Sequence, residues 1–593
     1  MDVLEYPFDV EYIIKNKKKI KKELLTKSNL IEKNIAILGG STTSEVKNML
    51  ELFLLNYGIK PNFYESEYNK FYEDALFGNP ELDTFKPDII YIHTSIRNIT
   101  ELPSVKDSEG DIDLKFNELT SRFKSVWTSL LTKYDAIIIQ NNFELPGVRL
   151  MGNKDVSDVH GSVNYVNRVN EYFCEFARNN DRFYINDINY VSSCYGLDKW
   201  LNDFYWYMYK YGMEVPAIPY LAFNLAKIIK SLYGKNKKAI ALDLDNTIWG
   251  GVIGDDGVEG ISVGVEVPSG QVFYYFQKYL SDLKDLGVLL NVVSKNNEDV
   301  ALEGINHQAN YLSVDDFIKI KANWEPKNIN IENIAKELSI GTDSFLFVDD
   351  NPAERKIVKD YLPGIASPDI KNPEDYIKIL DRNGYFEVTV LSNEDLKKNE
   401  LYKENLKREE LASTFTNYED YLYSLKMKAE IEEFKPIYYE RISQLTNKSN
   451  QFNLTTKRYT LADIESIAES PEYITLYGKL SDIFGDNGVV SVVIGKIDGY
   501  NLNIDLWIMS CRVLKRDMEV AMMDTLVSVS ASKNIKYIYG YYYPTAKNKM
   551  VEDFYLNQGF TLIDKDDENN RKYILEVDSY EKRNKVIEVN ENE

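Results

Sequence analysis

The chain has 593 residues, 44% of them hydrophobic and 27% charged, a globular composition that excludes wholesale disorder. Its 93 acidic residues outweigh 70 basic ones to a formal charge of -23, which disfavours non-specific binding to nucleic acid or to an anionic membrane. At about 150 residues per domain, the length predicts three or four domains.

The opening MDVLEYPFDV has no basic region followed by an apolar one, and no run of about eighteen apolar residues occurs. The cysteines, Cys174, Cys194 and Cys511, are widely spaced and odd in number, which indicates neither a disulfide framework nor a zinc site. A reducing cytoplasm is the expected location.

In chain order, NKKKIKKELLTK (Asn16 to Lys27) reads as a solvated helix face, with Ile13, Ile14, Ile20, Leu24 and Leu25 beneath the lysines. NIAILGG, DIIYIHTS, DAIIIQNN and RFYINDI then read as short buried strands separated by periodic helical stretches, a parallel α/β pattern. A second α/β segment follows, with strands AIALDL, VLLNVVS and SFLFVDD. Its helix GQVFYYFQKYLSDLKDL places Val272, Phe273, Phe276, Leu280, Leu283 and Leu286 on one face and stops at Gly287. From about Leu391 to Lys428 the chain is highly charged and suits an exposed helical connector. Beyond Ala429, strands GVVSVVIGKI, NLNIDLWIMS and IKYIYGYYY with helix MEVAMMDTLVSVSASK predict an α+β domain with an antiparallel sheet.

The chemistry gathers in the second segment. In parallel α/β sheets ligands bind at the carboxyl ends of strands, where ALDLDNT leaves Asp243 and Asp245. One carboxylate can attack phosphorus and a second can shuttle the proton. Ser294 ends the next strand and can hold a phosphoryl oxygen, while Lys327 can neutralise charge developing there. Asp349 and Asp350 end a third strand and add oxygen ligands for a hard cation such as Mg²⁺. Each residue alone also reads as a turn former, a cap or a surface group. Their order, DxDxT strand end, strand-Ser, Lys, strand-DD, carries the functional reading.

That ordered set resembles the haloacid dehalogenase superfamily of phosphohydrolases and phosphotransferases over roughly Lys238 to Pro373. The resemblance implies Asp243 as nucleophile and Asp245 as acid/base. It also implies Mg²⁺ held by the Asp243 carboxylate, the Asp245 carbonyl and Asp349 or Asp350, with phosphate gripped by Ser294 and Lys327. The short GGVIGDDG leaves room for a flap but no large cap domain. LDLDNTIWGGVIGDDG and SKNNEDV further resemble the FkbH-like branch. QLTNKSNQFNLTTKRYT, FGDNGVVSVVI, MSCRVLKRDMEVA and YYPTAKNKMVEDFYLNQGF resemble its C-terminal acyltransferase-like domain. Relatives carry a cysteine where Val293 stands, which leaves Cys511, between Ser510 and Arg512, as the cysteine within a family motif. Within NQFNLTTKRY, Asn450, Gln451, Asn453 and Thr455 read as structural amides and hydroxyls. ILGGSTTSEV resembles the first block of the SGNH hydrolase fold, with Ser41 at the nucleophile position and Asn141 or Asn142 as an oxyanion-type amide. No Asp-x-x-His follows, and His93, His160 and His307 stand elsewhere.

The expected architecture is therefore α/β: an SGNH-like parallel-sheet domain (1–225), a Rossmann-like haloacid dehalogenase domain (226–388), a charged connector (389–428) and an α+β GNAT-like domain (429–593). The implied function is an Mg²⁺-dependent enzyme that takes a glyceryl unit from 1,3-bisphosphoglycerate, a phosphorylated three-carbon acyl donor. It removes the phosphate and loads the thiol of an acyl carrier protein. The catalytic set would be Asp243, Asp245, Ser294, Lys327 and Cys511. The alternatives are a phosphatase on a small phosphorylated metabolite and a non-catalytic carrier-binding module. Because carrier proteins are acidic like this chain, a local basic patch is expected at Lys457, Arg458, Arg512, Lys515, Arg516, Lys547 and Lys549.

Overall fold

The computed structural model describes residues 2–27, 30–449, 451–545 and 548–590, which divide into two compact units, 1–232 and 233–593. Among the described residues no helix is long and apolar enough to cross a membrane.

The first unit is built on a five-stranded parallel sheet. Its strands β1 (Ile31–Gly39), β2 (Ile59–Glu65), β3 (Ile89–His93), β4 (Ile137–Asn141) and β5 (Phe183–Asn186) lie in the order β2-β1-β3-β4-β5. The apolar runs of the sequence are β1, β3, β4 and β5. β2, reading IKPNFYE, has no such run because it is the edge strand, where Pro61 costs no shared ladder bond. Trp127 closes the core against Phe173 and Phe183, and its indole N–H donates to Gln140 Oε1 at 3.0 Å. The lysine-rich segment lies in helix Val10–Leu24, which buries Ile13, Ile20 and Leu24 and leaves Leu25 exposed.

The second unit holds two sheets. The first is parallel, with β6 (Ala239–Leu242), β7 (Leu289–Ser294), β8 (Lys319–Ala322) and β9 (Phe345–Val348) in the order β8-β7-β6-β9. Helix Pro268–Asp285 packs on it through Phe273, Phe276, Leu280 and Leu283; Leu286 lies past its end and is exposed, and Gly287, at φ 87°, takes the left-handed turn that ends such helices. β8 escapes sequence reading because it is a four-residue edge strand whose Lys319 and Lys321 pair with Glu337.

The second sheet has eight strands: β10 (Met427–Glu432), β11 (Tyr473–Asp482), β12 (Gly485–Asp498), β13 (Asn501–Met509), β14 (Tyr537–Tyr542), β15 (Thr561–Lys565), β16 (Arg571–Glu576) and β17 (Ile587–Val589). It is mixed rather than antiparallel throughout. β13 pairs in parallel with β14 over Asn501–Asn503 only, and β10 pairs in parallel with β17. The helix Met518–Ser532 crosses between β13 and β14, as a parallel connection requires.

The charged connector is not simply an exposed rod. Its helix Lys398–Ser413 sends Tyr402 into the apolar cluster under β6 and β9, while Leu411 and Ala412 pack on the core of the eight-stranded sheet. The buried charge on this helix is Arg408, tied in a fork to Asp482 at 2.8 and 2.7 Å.

Candidate active site

The carboxyl ends of β6, β7 and β9 bring the expected residues together. Asp243 follows β6 directly, and its backbone N–H donates to Val348 O at 3.0 Å, fixing the tip of β6 beside β9. The Ser294 hydroxyl, at the end of β7, donates to Asp243 Oδ1 at 2.8 Å. Lys327, first residue of helix Lys327–Glu337, places Nζ 2.9 Å from Asp243 Oδ1 and 2.6 Å from Asp349 Oδ2. Asp243, Ser294, Lys327 and Asp349 are all buried.

Asp245 is held apart from this pair. Its Oδ1 accepts from the Trp249 indole and the Ile253 amide, each at 3.0 Å, and its Oδ2 accepts from Asn296 Nδ2 at 3.0 Å. Asn296 also donates to Ser294 Oγ at 3.1 Å, linking the two strand ends. The left-handed Asn246 (φ 52°) turns the chain after Asp245. Thr247 is fully buried beyond it, its hydroxyl without a partner.

Carboxylate oxygens of Asp243, Asp349 and Asp350 lie within 4.8 Å of one another. Asp349 Oδ1 accepts the Asn351 amide at 2.8 Å, and Arg355 donates to the carbonyls of Asp349 and Asp350 at 2.7 and 2.8 Å, fixing the loop. Burial pushes the Asp243 carboxyl up; Lys327 opposes this and Asp349 adds to it. Burial also raises Asp349 and Asp350. Burial alone would lower the Lys327 ammonium, but Asp243 and Asp349 outweigh it and hold the group above its ordinary value. A converging set of hard oxygens, mutually repelling and only partly neutralised by one ammonium, fits a divalent cation such as Mg²⁺. Sequence reading gave no role to Asn296, Trp249 or Arg355, which hold the reactive groups, although Asn296 and Trp249 lie within SKNNEDV and LDLDNTIWGGVIGDDG.

Cys511 lies elsewhere in the unit, in the turn after β13. It is half-buried against the Tyr402 cluster, with Sγ 3.8 Å from the Tyr402 hydroxyl. Of the expected basic patch, Arg512 and Arg516 are buried, Lys457 pairs with Asp505 at 2.7 Å, and Arg458 donates to Thr446 O at 3.2 Å. Lys515 and Lys549 are exposed, and Lys547 lies outside the described residues, as does Asn450. Asn453 and Thr455 tie backbone, accepting from Thr456 N at 2.8 Å and donating to Asp505 O at 2.7 Å.

In the first unit, Ser41 is buried and its hydroxyl has no partner. Both amide groups of Asn141 are used, by Tyr91, Asn186, Thr94 and the His93 ring, and Asn142 is tied to Asp187 and Asn189. Burial pushes His93 down to about 4, so it is neutral. His160 bonds to Asp158 and to the Asp107 carbonyl, away from Ser41.

These strand-tip carboxylates with Ser294 and Lys327 define a phosphatase domain of the haloacid dehalogenase type. Residues 34–230 match the family described as FkbH, N-terminal domain. The N-terminal part of BF1531 from Bacteroides fragilis, a crystal structure containing a phosphatase domain complexed with Mg, is 28% identical. It covers 63% of this chain and 99% of its own, with a TM-score of 0.58. Residues 34–230 thus match the FkbH N-terminal domain, and the chain also carries such a phosphatase domain. Over 25% of the chain it is also similar to the ribosomal-protein-S18-alanine N-acetyltransferase of Escherichia coli, at 9% identity, 94% of that chain and a TM-score of 0.20. The GNAT domain of S. lividans PAT matches at 13% identity over 25% of this chain and 89% of that one, with a TM-score of 0.21. No curated protein matches the chain.

Proposed function

We propose that this protein is an Mg²⁺-dependent enzyme that dephosphorylates a three-carbon acyl donor, 1,3-bisphosphoglycerate, and delivers its glyceryl unit to the thiol of an acyl carrier protein. The observation that carries the phosphoryl half is the convergence of Asp243, Ser294, Lys327 and Asp349 on one buried point. Asp243 Oδ attacks the phosphorus of the 3-phosphate ester, the bond from phosphorus to the C3 oxygen breaks, and Asp245 supplies that oxygen's proton, which leaves the acyl phosphate intact for attack by a thiolate with loss of its phosphate. Water then attacks the aspartyl-phosphate, giving its proton to the Asp245 carboxylate and releasing phosphate. Ser294 and Lys327 bind the phosphoryl oxygens and absorb their charge. When bound by Asp243, Asp349 and Asp350, Mg²⁺ would supply Lewis-acid neutralisation of the transferring group.

The acyl half rests on the resemblance of the C-terminal motifs, with Cys511 as the group able to carry an acyl unit. The test incubates the full chain with Mg²⁺, labelled 1,3-bisphosphoglycerate and carrier proteins. Label on the carrier together with released phosphate is the expected result. Phosphate release with no label on any carrier would leave a phosphatase acting on a small metabolite.

A further inference from the structure

Beside the eight-stranded sheet, four arginines are compensated in two different ways: Arg408, Arg512 and Arg516 are buried and Arg441 is half-buried. Arg408 and Arg516 share one carboxylate. Asp482 accepts from Arg408 at 2.8 and 2.7 Å and from Arg516 Nη1 at 3.2 Å, while Asn405 Oδ1 takes the remaining edges at 2.9 and 2.7 Å. This pair is closed, as buried charges in a folded chain usually are.

Arg441 and Arg512 are not closed. Arg512 is 9% exposed. Its Nε donates to the Ser510 hydroxyl at 3.3 Å, and its carbonyl is pinned by Asn405 and Arg516 at 3.3 and 2.9 Å. Arg441, in helix Tyr439–Lys448, donates through Nη1 to Gln444 and leaves Nε buried with no partner. Among the described residues neither guanidinium pairs with a carboxylate within 4 Å. The two sense each other: burial, then the nearby Arg512 charge, pushes Arg441 down to about 10.

A third unfinished group sits on the same structure. Asn487, in β12, is 1% exposed, and neither its amide nitrogen nor its oxygen has a partner. β12 packs against the Cys511–Val513 turn and against helix Tyr439–Lys448, and the Ser510 amide donates to Val490 O at 2.7 Å. Glu394 and Asp395 are the acidic groups whose charge opposes the lowering of Arg441. The Asp395 carboxylate is already taken by Gln444 Nε2 at 2.6 Å and by the Ser392 hydroxyl at 2.9 Å, and Glu394 lies against Gly488. Buried donors such as Arg441 Nε and the Asn487 amide, left without partners, are costly unless something completes them.

We propose that Arg441, Arg512 and Asn487 form a binding site for a phosphate dianion, beside Cys511 and separate from the strand-tip carboxylates. Two guanidiniums match the charge of a dianion and offer planar donor edges to its oxygens. The Asn487 amide adds a donor, and its carbonyl can accept the proton of a hydrogen phosphate. Inorganic phosphate and a small phosphate monoester present the same group. The site is argued from this cluster alone and does not depend on the reaction at Asp243.

The test uses the full chain carrying Lys327→Gln, which impairs phosphate binding at the catalytic strand ends, in EDTA without Mg²⁺. Inorganic phosphate and glycerol 3-phosphate are titrated by calorimetry, with acetate at equal ionic strength as the monoanion. Saturable binding of at least one phosphate species is expected, with acetate silent. Arg441→Gln should weaken it about tenfold or more, the equivalent of one charge-assisted hydrogen bond. Asn487→Asp, which keeps the shape and adds a negative charge, should abolish it. If Arg441→Gln does not fold, Asn487→Asp alone carries the comparison, read as the phosphate-induced rise in Tm. No phosphate binding in the parent protein, binding unchanged in Asn487→Asp, or equal binding of acetate would overturn the site.

Discussion

Lys327 Nζ lies 2.6 Å from Asp349 Oδ2 in a pocket where both side chains are essentially inaccessible, and it is 2.9 Å from Asp243 Oδ1 as well. One ammonium therefore serves the tips of two strands, standing between carboxylates that would otherwise repel. Removing it leaves Asp243, Asp349 and Asp350 facing one another inside the protein, a loss of a buried partner that typically costs about 3–5 kcal/mol. Lys327→Gln is expected to lower Tm by several degrees in EDTA. Added Mg²⁺ should recover part of the loss, since a ligand that binds only the folded state stabilises it. Thermal unfolding with and without Mg²⁺ checks both parts; an unchanged Tm in EDTA would mean the ammonium is not what holds these carboxylates together.

Asp243→Asn should fold normally and lower phosphate release by orders of magnitude, because the amide keeps the shape but cannot attack phosphorus. Asp350, the least buried of the three carboxylates, should behave differently. Asp350→Asn is expected to move the Mg²⁺ activation curve to higher concentration more than it lowers the saturated rate. Phosphate release followed across a Mg²⁺ titration separates the two; near-wild-type turnover of Asp243→Asn at saturating Mg²⁺ removes Asp243 as nucleophile.

The strand-tip set was readable because it sits on buried parallel strands, whose apolar runs announce where the chain must end at a ligand edge: ALDLD, VVS and FVDD each deliver a polar group there. Lys327 opens a helix after a proline and became readable only through its order in the set. Asn296 and Arg355 were not legible, since an amide or guanidinium that fastens another residue has no periodic or spacing signal. The edge strands β2 and β8 lack the apolar run because one flank needs no partner. The wedged connector was missed because its burying residues, Leu401, Tyr402 and Leu411, are sparse among charges, and Arg408 is buried only because Asp482 receives it.

Glu144, fully buried after β4, accepts the Ile96 amide through Oε2 at 3.2 Å and has no partner at Oε1. Burial pushes its carboxyl from 4.5 up to about 7. Between these values the folded state holds a proton that the unfolded chain releases. The contribution is full below about 4.5, falls as pH rises to about 7 and is flat above, a loss of about 3 kcal/mol. Hydrogen exchange of the β3 and β4 amides, corrected for intrinsic rates, should show this fall in the wild type and not in Glu144→Gln. Parallel pH profiles for the two proteins would assign the burial no such role.

The first unit is expected to have no esterase activity. Ser41 Oγ has no hydrogen-bond partner, and the His93 ring is committed to the Tyr91 hydroxyl at 2.8 Å, so no base activates the serine. Hydrolysis of p-nitrophenyl acetate by the full chain should be unaffected by Ser41→Ala. A rate that drops in that variant would show that a base is recruited on substrate binding.

In the proposed reaction, phosphoryl chemistry at Asp243 would not by itself place an acyl group on a carrier thiol, and two routes are open to it. In the relay, the Cys511 thiolate attacks the acyl carbon, the bond to the acyl-phosphate oxygen breaks and phosphate leaves; the carrier thiolate then displaces Cys511 from the thioester. In the direct route the carrier attacks the acyl phosphate and Cys511 is packing. Its half-buried place against Tyr402, whose hydroxyl burial holds well above the usual tyrosine value and therefore neutral, is compatible with packing, while the residue as a whole keeps partial exposure in the turn after β13. Intact-protein mass spectrometry after exposure to acyl donor without carrier separates them. A glyceryl adduct in the wild type and none in Cys511→Ala is the expected outcome, with carrier loading lost in the variant and kept in Tyr402→Phe. Loading by Cys511→Ala at the wild-type rate would leave the direct route.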